Sequence, residues 1–360
     1  MNLPRERLVK TPEIRTLRAS HSTRTLEIVD QTLLPGEWKI VSLSTAGEAA
    51  RAIRTMQVRG APLIGATAAY GLALALHADP SDAGMHVAYA VLLGTRPTAV
   101  NLRWALDRVS AAVRHLAGSA RAEAAWKEAD AIAAEDVETN LAIGRHGLAL
   151  IEQLAASGRS PVQILTHCNA GALATLGWGT ATAPIYLAHG SGIAVHVWVS
   201  ETRPRLQGAR LTAWELRQSQ VPHTLIVDAA GAALMQQGRV DLVLVGADRV
   251  AANGDVCNKI GTYEKALAAR DNGVPMYAAV PSTTIDWTLA DGAQIPIEER
   301  GAEEVLRVGD AASVAPPGTP AANPAFDVTP ARLLTGLITE LGICRATAAG
   351  LAEMFPEHRA

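Results

Sequence analysis

The chain has 360 residues, 49% of them apolar and 19% charged, with a formal net charge of −3. Such a length suits roughly two domains, and the apolar content excludes wholesale disorder. The lack of a basic excess argues against general nucleic-acid binding but leaves room for a local phosphate pocket.

The opening run Met-Asn-Leu-Pro-Arg-Glu-Arg lacks the apolar core of a signal peptide. No stretch reads as a membrane span. Three cysteines, Cys168, Cys257 and Cys344, are too few for a disulfide framework and fit a reducing compartment. The expectation is a soluble cytoplasmic protein with no membrane and no nucleic-acid partner.

Residues 23–29 and 38–43 read as two strands around Pro35-Gly36, an antiparallel hairpin. Residues 45–56 have the spacing of an amphipathic helix, with Ala49, Ile53 and Met56 on one face. Arg59-Gly60-Ala61-Pro62 precedes a small apolar helix at 66–76, and further helices are expected at 81–93 and 99–116. Alanine-rich sequence at 119–154 implies one or two long helices. Residues 1–145 therefore read as a mostly helical domain with a small β element, and 146–360 as a second domain.

After the turn cluster at 157–161, apolar runs alternate with helical stretches. Strands are expected at 162–166, 193–199, 224–227, 242–245 and 275–280, with helices starting near Ala170, Thr212, Gly231 and Thr262. That alternation implies an α/β domain whose mainly parallel sheet is covered by helices. The Pro-, Ala- and Gly-rich stretch 310–324 reads as a loop returning to a final helix at 330–341.

Candidate chemistry collects just beyond strand ends, where open parallel sheets bind ligands. Asp248 follows the apolar run ending at Val245, and Asn258, Lys259, Gly261 and Thr262 open the next helix. A cation, an amide and free backbone donors at a helix start suit a phosphate. A solvated loop residue or a cap is the other reading of Asp248. Cys168, in Thr166-His167-Cys168-Asn169-Ala170-Gly171, would sit at a helix start that stabilises a thiolate; a small buried hydrophobe is its bland alternative. Polar residues also crowd Glu201-Thr202-Arg203-Pro204. Zinc-ligand spacing, a nucleophile elbow and nucleotide fingerprints are missing from the sequence. The inventory suits proton transfer on a phosphorylated small molecule without a metal.

Taken together and in order, these motifs resemble the methylthioribose-1-phosphate isomerases, a family within the superfamily that includes the alpha, beta and delta regulatory subunits of the exchange factor for translation initiation factor two. Arg96-Pro97-Thr98-Ala99-Val100-Asn101-Leu102, Gln207-Gly208-Ala209-Arg210-Leu211, Gly246-Ala247-Asp248-Arg249, Pro296-Ile297-Glu298-Glu299-Arg300 and Asn323-Pro324-Ala325-Phe326-Asp327 extend the match from about residue 23 to 342. The resemblance implies a helical N-terminal domain, a Rossmann-like C-terminal domain and a homodimer. It implies conversion of 5-methylthioribose 1-phosphate to 5-methylthioribulose 1-phosphate in methionine salvage, without a cofactor. Asp248 then becomes the catalytic proton donor and Cys168 its catalytic partner. Arg59, Gly60, Ala61, Arg96, Gln207, Asn258 and Lys259 become the set that binds the phosphorylated sugar. The competing readings are an isomerase for another pentose 1-phosphate, such as 5-deoxyribose 1-phosphate or ribose 1,5-bisphosphate, and a non-catalytic regulatory-subunit homologue, which would need neither Asp248 nor Cys168. Cys257, where a small residue is expected, adds a second thiol beside the site.

Overall fold

The computed structural model describes residues 14–96, 99–309 and 313–358. The opening run read for a signal peptide, Pro97 and Thr98 of the Arg96 motif, and the start of the loop expected from 310 lie outside the described residues.

The N-terminal part opens with strands β1 (Leu17–Ser20), β2 (Thr25–Val29) and β3 (Ile40–Leu43), an antiparallel sheet in that order. The hairpin is as expected; β1 adds a strand that the sequence did not signal. Helices α1 (Ala46–Arg54), α2 (Ala61–Ala78), α3 (Asp82–Leu93) and α4 (Val100–Val113) follow. Thr45 caps α1, its hydroxyl accepting from Glu48 N while Glu48 reaches back to Thr45 N, so two orphan donors are satisfied. Contrary to expectation, α2 is long and apolar enough to cross a membrane. Its Ala and Leu side chains are spent on a helical core instead, packed with residues of α1, α3 and α4 and with Trp126 and Ile132.

One helix, α5 (Gly118–Ala156), then runs for 39 residues, about 58 Å at 1.5 Å per residue. Its first half joins the helical core and its second half, through Ile143 and Ile151, the core of the sheet. The division expected near residue 145 falls inside this helix.

The C-terminal part is β4 (Val162–Thr166), α6 (Ala183–Gly190), β5 (Val195–Ser200), α7 (Ala213–Gln218), β6 (His223–Ile226), α8 (Ala230–Gln236) and β7 (Leu242–Val245). Next come β8 (Arg249–Ala251), β9 (Val256–Lys259), α9 (Thr262–Asp271), β10 (Met276–Ala279), β11 (Ile285–Asp286) and α10 (Glu303–Leu306). The chain closes with β12 (Phe326–Thr329), β13 (Gly336–Thr339), β14 (Gly342–Cys344) and α11 (Ala348–Met354). The main sheet has the order β14-β13-β10-β7-β4-β5-β6, parallel except for β14. From β4 the chain winds outward to β6, then returns to place β7 on the other side of β4. That reversal is a topological switch point, where the loops after β4 and β7 part and leave a crevice. The first carries Cys168 and the second Asp248.

Three expectations are corrected. The final helix at 330–341 is a single 3₁₀ turn followed by β13 and β14. Leu333, Leu337 and Leu341 have helical spacing, but pairing with β10 buries Leu337 and Ile338 on both faces, and a short apolar run does not reveal its period. Asn258 and Lys259 do not open a helix. They end β9, which with β8, β11 and β12 forms a second, four-stranded sheet; the helix starts only after Gly261, at φ +95°. Nor does a helix start near Ala170: one 3₁₀ turn (Ala172–Ala174) follows, and α6 begins at Ala183. Gly179, at φ +76°, packs so tightly on Gly171 that a Cβ would lie 2.3 Å from its Cα, and this closed loop leaves no room for a helical turn.

Candidate active site

A cleft of about 1010 Å³, including its open mouth, lies over the switch point between the helical part and the two sheets. All nine residues singled out from the sequence line it: Asp248, Cys168, Arg59, Gly60, Ala61, Arg96, Gln207, Asn258 and Lys259.

The helical part contributes the start of α2. Gly60 precedes it at φ +92°, and a Cβ there would fall 2.4 Å from the Ala174 carbonyl. Only glycine allows this approach, which brings the first turn of an 18-residue helix, and its unpaired N–H groups, to the cleft wall. Arg59 crosses to the other part, donating to Asn169 Oδ1 through Nη1 and to the Asn169 carbonyl through Nη2 at 2.8 Å. Arg96 pairs with Glu298 at 3.1 Å, Glu298 is also held by Arg300 at 2.9 Å, and Arg96 Nε is buried without a partner.

Cys168 stands just past β4 in a left-handed conformation, φ +64°, a placement rare for a side chain with a Cβ. It is held there from both sides: its N–H donates to Thr202 Oγ1 at 2.8 Å, and its carbonyl accepts from Thr212 Oγ1 at 2.6 Å. Neighbouring His167 is buried, with Nε2 2.8 Å from the Ile260 carbonyl and Nδ1 3.4 Å from Thr202 Oγ1. Burial, then the nearby Lys265 charge, pushes its pKa down to about 3, so the ring is neutral at pH 7. A neutral ring facing a carbonyl carries its proton on Nε2. Burial also pushes the Cys168 thiol up, and the Asp248 charge adds to this against Arg59 and Lys259. The thiolate that a helix start was expected to favour is thus disfavoured.

Asp248 follows β7, and its N–H donates to the Cys257 carbonyl on β9 at 2.9 Å. Its side chain lines the cleft and is half-buried there. Desolvation therefore raises its pKa, opposed by the charges of Lys259, Arg96 and Arg59. Lys259, at the end of β9, is buried; among the described residues it has no ion pair, and its ammonium lies 4.3 Å from the centre of the Phe326 ring. Burial lowers its pKa. Asn258 donates to Thr262 Oγ1 at 3.0 Å, while Gln207 leaves a buried amide oxygen unpartnered. Cys257 also lines the cleft, its thiol pushed up to about 12 by burial first of all.

The arrangement offers one carboxyl able to hold a proton and two neutral thiols, Cys168 and Cys257, around the switch point. Cations and a helix start surround them, with buried amides that suit hydroxyls, and Ile295, Pro296 and Phe326 supply an apolar wall. Among the described residues no three His, Cys, Asp or Glu side chains converge as metal ligands.

Sequence reasoning quoted Glu298 within its motif but gave it no place in the site, and it missed Glu215. Glu215 is wholly buried on α7 and accepts from Asn169 Nδ2, Leu173 N and Ala172 N, each at 2.8 Å, and from Tyr186 Oη at 3.0 Å. A signal existed: Glu215 stands four residues after Leu211 and beside Leu216, on the buried side of its helix.

Residues 57–346 match the Initiation factor 2 subunit family. The chain is similar to the methylthioribose-1-phosphate isomerase of Rhizobium meliloti, 59% identical over 355 residues, covering 96% of this chain and 98% of that protein. Among solved structures it is similar to 5-methylthioribose 1-phosphate isomerase from Pyrococcus horikoshii, with TM-score 0.87, 42% identity and coverage of 99% and 100%. A structure described as translation initiation factor eIF-2B, subunit delta, from A. fulgidus follows, with TM-score 0.82, 37% identity and coverage of 96% and 100%.

Proposed function

The chain belongs to the Initiation factor 2 subunit family, among its methylthioribose-1-phosphate isomerases, and from that premise we propose how its cleft isomerises 5-methylthioribose 1-phosphate to 5-methylthioribulose 1-phosphate. The substrate is an aldose whose anomeric oxygen carries phosphate, so the ring cannot open simply to a free aldehyde. A proton must reach the ring oxygen while its bond to C1 breaks. Asp248 supplies that proton. The observation that carries this reading is its position: a carboxyl lining the cleft, whose pKa burial raises against the charges of Lys259, Arg96 and Arg59. Arg59, Arg96, Lys259 and the start of α2 hold the phosphate. Gln207 and Asn258 orient the sugar hydroxyls, and the apolar wall at Ile295 and Pro296 takes the methylthio group.

Ring opening leaves C1 electron-poor. The C2 hydrogen then moves to C1 with its electron pair, the C2 hydroxyl becomes the carbonyl, and its proton returns to the Asp248 carboxylate, so the enzyme ends as it began. The raised pKa of Cys168 favours this route over proton abstraction, since a buried thiol is a poor base at neutral pH. Cys168 shields and polarises the transfer. Substrate deuterated at C2 tests the scheme: deuterium retained at C1 of the ketose is expected, and near-complete washout into water would contradict it. An apolar subsite distinguishes small substituents weakly, so slow turnover of 5-deoxyribose 1-phosphate is expected alongside. The protein works as a homodimer in the reducing cytoplasm, where three free thiols persist; a monomeric mass in light scattering would overturn the first of these.

A further inference from the structure

We propose that Glu215 is a positioning residue for the reaction, acting through the Asn169 amide on the Arg59 guanidinium and, through Thr212, on the Cys168 backbone. The proposal rests on the assignment of Arg59 to phosphate binding made above. Asn169 Nδ2 has two hydrogens and spends them on Glu215 Oε1 at 2.8 Å and Thr212 Oγ1 at 3.1 Å. Thr212 is free to accept because its own hydrogen goes to the Cys168 carbonyl, 2.6 Å away. With both amide hydrogens committed, Asn169 Oδ1 has to face Arg59 Nη1. The flipped amide would turn its oxygen against the Glu215 carboxyl and its hydrogens against a guanidinium. One buried carboxyl on α7 thus fixes a cation from the helical part and the loop that carries the thiol, although it touches no cleft-lining space itself.

The surroundings are built for a carboxyl there and nothing else. Each Glu215 oxygen accepts from a backbone N–H, Oε1 from Leu173 and Oε2 from Ala172. A glutamine in its place must turn its NH₂ against one of these donors, whichever way it lies. Residue 171 must be glycine for the same reason: a Cβ would fall 2.1 Å from Glu215 Oε2. Buried networks of this kind are tested by double-mutant cycles.

Inorganic phosphate as a competitive inhibitor reads Arg59 directly, and KM against kcat reads the rest. Glu215→Gln is expected to weaken phosphate binding and raise KM by about tenfold, with a smaller fall in kcat. In an Arg59→Lys background, which keeps the charge but loses the fork to Asn169, the same substitution is expected to cost less than twofold. Additive losses would overturn the proposal and leave Glu215 merely structural. An Arg59→Lys enzyme with unchanged KM and phosphate affinity would instead break the assignment of Arg59 itself. If Glu215→Gln does not fold, Asn169→Ser cuts the link while Glu215 keeps Ala172, Leu173 and Tyr186; its cycle with Arg59→Lys is expected to show the same loss of additivity, and additive losses would again overturn the proposal.

Discussion

Two carboxyls in desolvated surroundings, Asp248 half-buried in the cleft wall and Glu215 wholly buried on α7, show by their contrast what this fold asks of each. Desolvation raises the pKa of both Asp248 and Glu215. What opposes it differs. Around Glu215 the opposition is hydrogen bonds, from Asn169, Leu173, Tyr186 and Ala172. Around Asp248 the leading opposition is charge, from Lys259, Arg96 and Arg59, while the Glu298 charge adds to the rise. A carboxyl whose oxygens are all spoken for is a fixture. A carboxyl opposed by cations and lining an open cleft can hand a proton to something that enters. Burial alone therefore does not mark an acid catalyst; desolvation opposed by charge rather than by donors is what makes Asp248 the candidate.

The sharpest way to break the contrast is to remove the carboxyl proposed as the acid. Asp248→Asn keeps size and polarity but has no carboxyl proton, so turnover is expected to fall about 10²–10⁴-fold with KM little changed. Near wild-type turnover would put the acid elsewhere. Its stability should move the other way. The folded protein holds the Asp248 proton more tightly than the unfolded chain, so native stability is greatest below the ordinary value of 3.8 and declines as pH rises above it. Asp248→Asn is thus expected to match or exceed the wild-type Tm at pH 7.

Glu215 is expected to behave oppositely. Glu215→Leu orphans four donors, at about 1–3 kcal/mol for each buried group left unpartnered, so a loss of at least about 3 kcal/mol is expected in denaturant unfolding. An unchanged midpoint would mean that the loop does not depend on this carboxyl.

The thiols sharpen the account of Cys168. Its pKa is raised, that of Cys257 reaches about 12 and that of half-buried Cys344 about 11. Because the thiolate is the reactive form, alkylation at pH 7 is expected to be slower than for a free cysteine and to accelerate as pH rises past 9. Inactivation should follow Cys168 and Cys257, with protection by bound substrate, and not Cys344. Rapid inactivation at pH 7 would contradict a neutral thiol.

The smallest effect concerns a third carboxyl, Asp136 on α5. Burial pushes it up to about 7, although Asp136 Oδ2 accepts from Leu176 N at 2.8 Å. Its stability contribution therefore declines as pH rises from 3.8 to about 7. Asparagine keeps an acceptor for Leu176, so Asp136→Asn should leave Tm unchanged at pH 4 and raise it by a few degrees at pH 8. Equal Tm values at pH 8 would contradict that shift.

Much of this was legible in the sequence. β4 and β7 could be read because strands buried on both faces are written as unbroken apolar runs, and Asp248 and Cys168 follow from where such strands end. The small sheet was not legible, because β8 and β9 are short and β9 ends in Asn258 and Lys259, polar residues buried toward the cleft rather than toward a core. The surroundings of Cys168 misled: Thr166 to Gly171 reads as strand, turn and helix, whereas the glycines close a loop too tight for one. Glu215 was hidden by type, since a glutamate in a helix is ordinarily solvated and only the fold reveals the donors converging on it.

The central claim is that Asp248 carries a proton in the enzyme that meets its substrate. Infrared difference spectroscopy of wild type against Asp248→Asn, titrated from pH 3 to 9, measures this directly through the protonated-carboxyl stretch. The account predicts that the Asp248 band persists above the ordinary aspartate value of 3.8 and fades together with kcat on the alkaline side. A band that disappears at or below 3.8, while the enzyme still turns over at neutral pH, would contradict it.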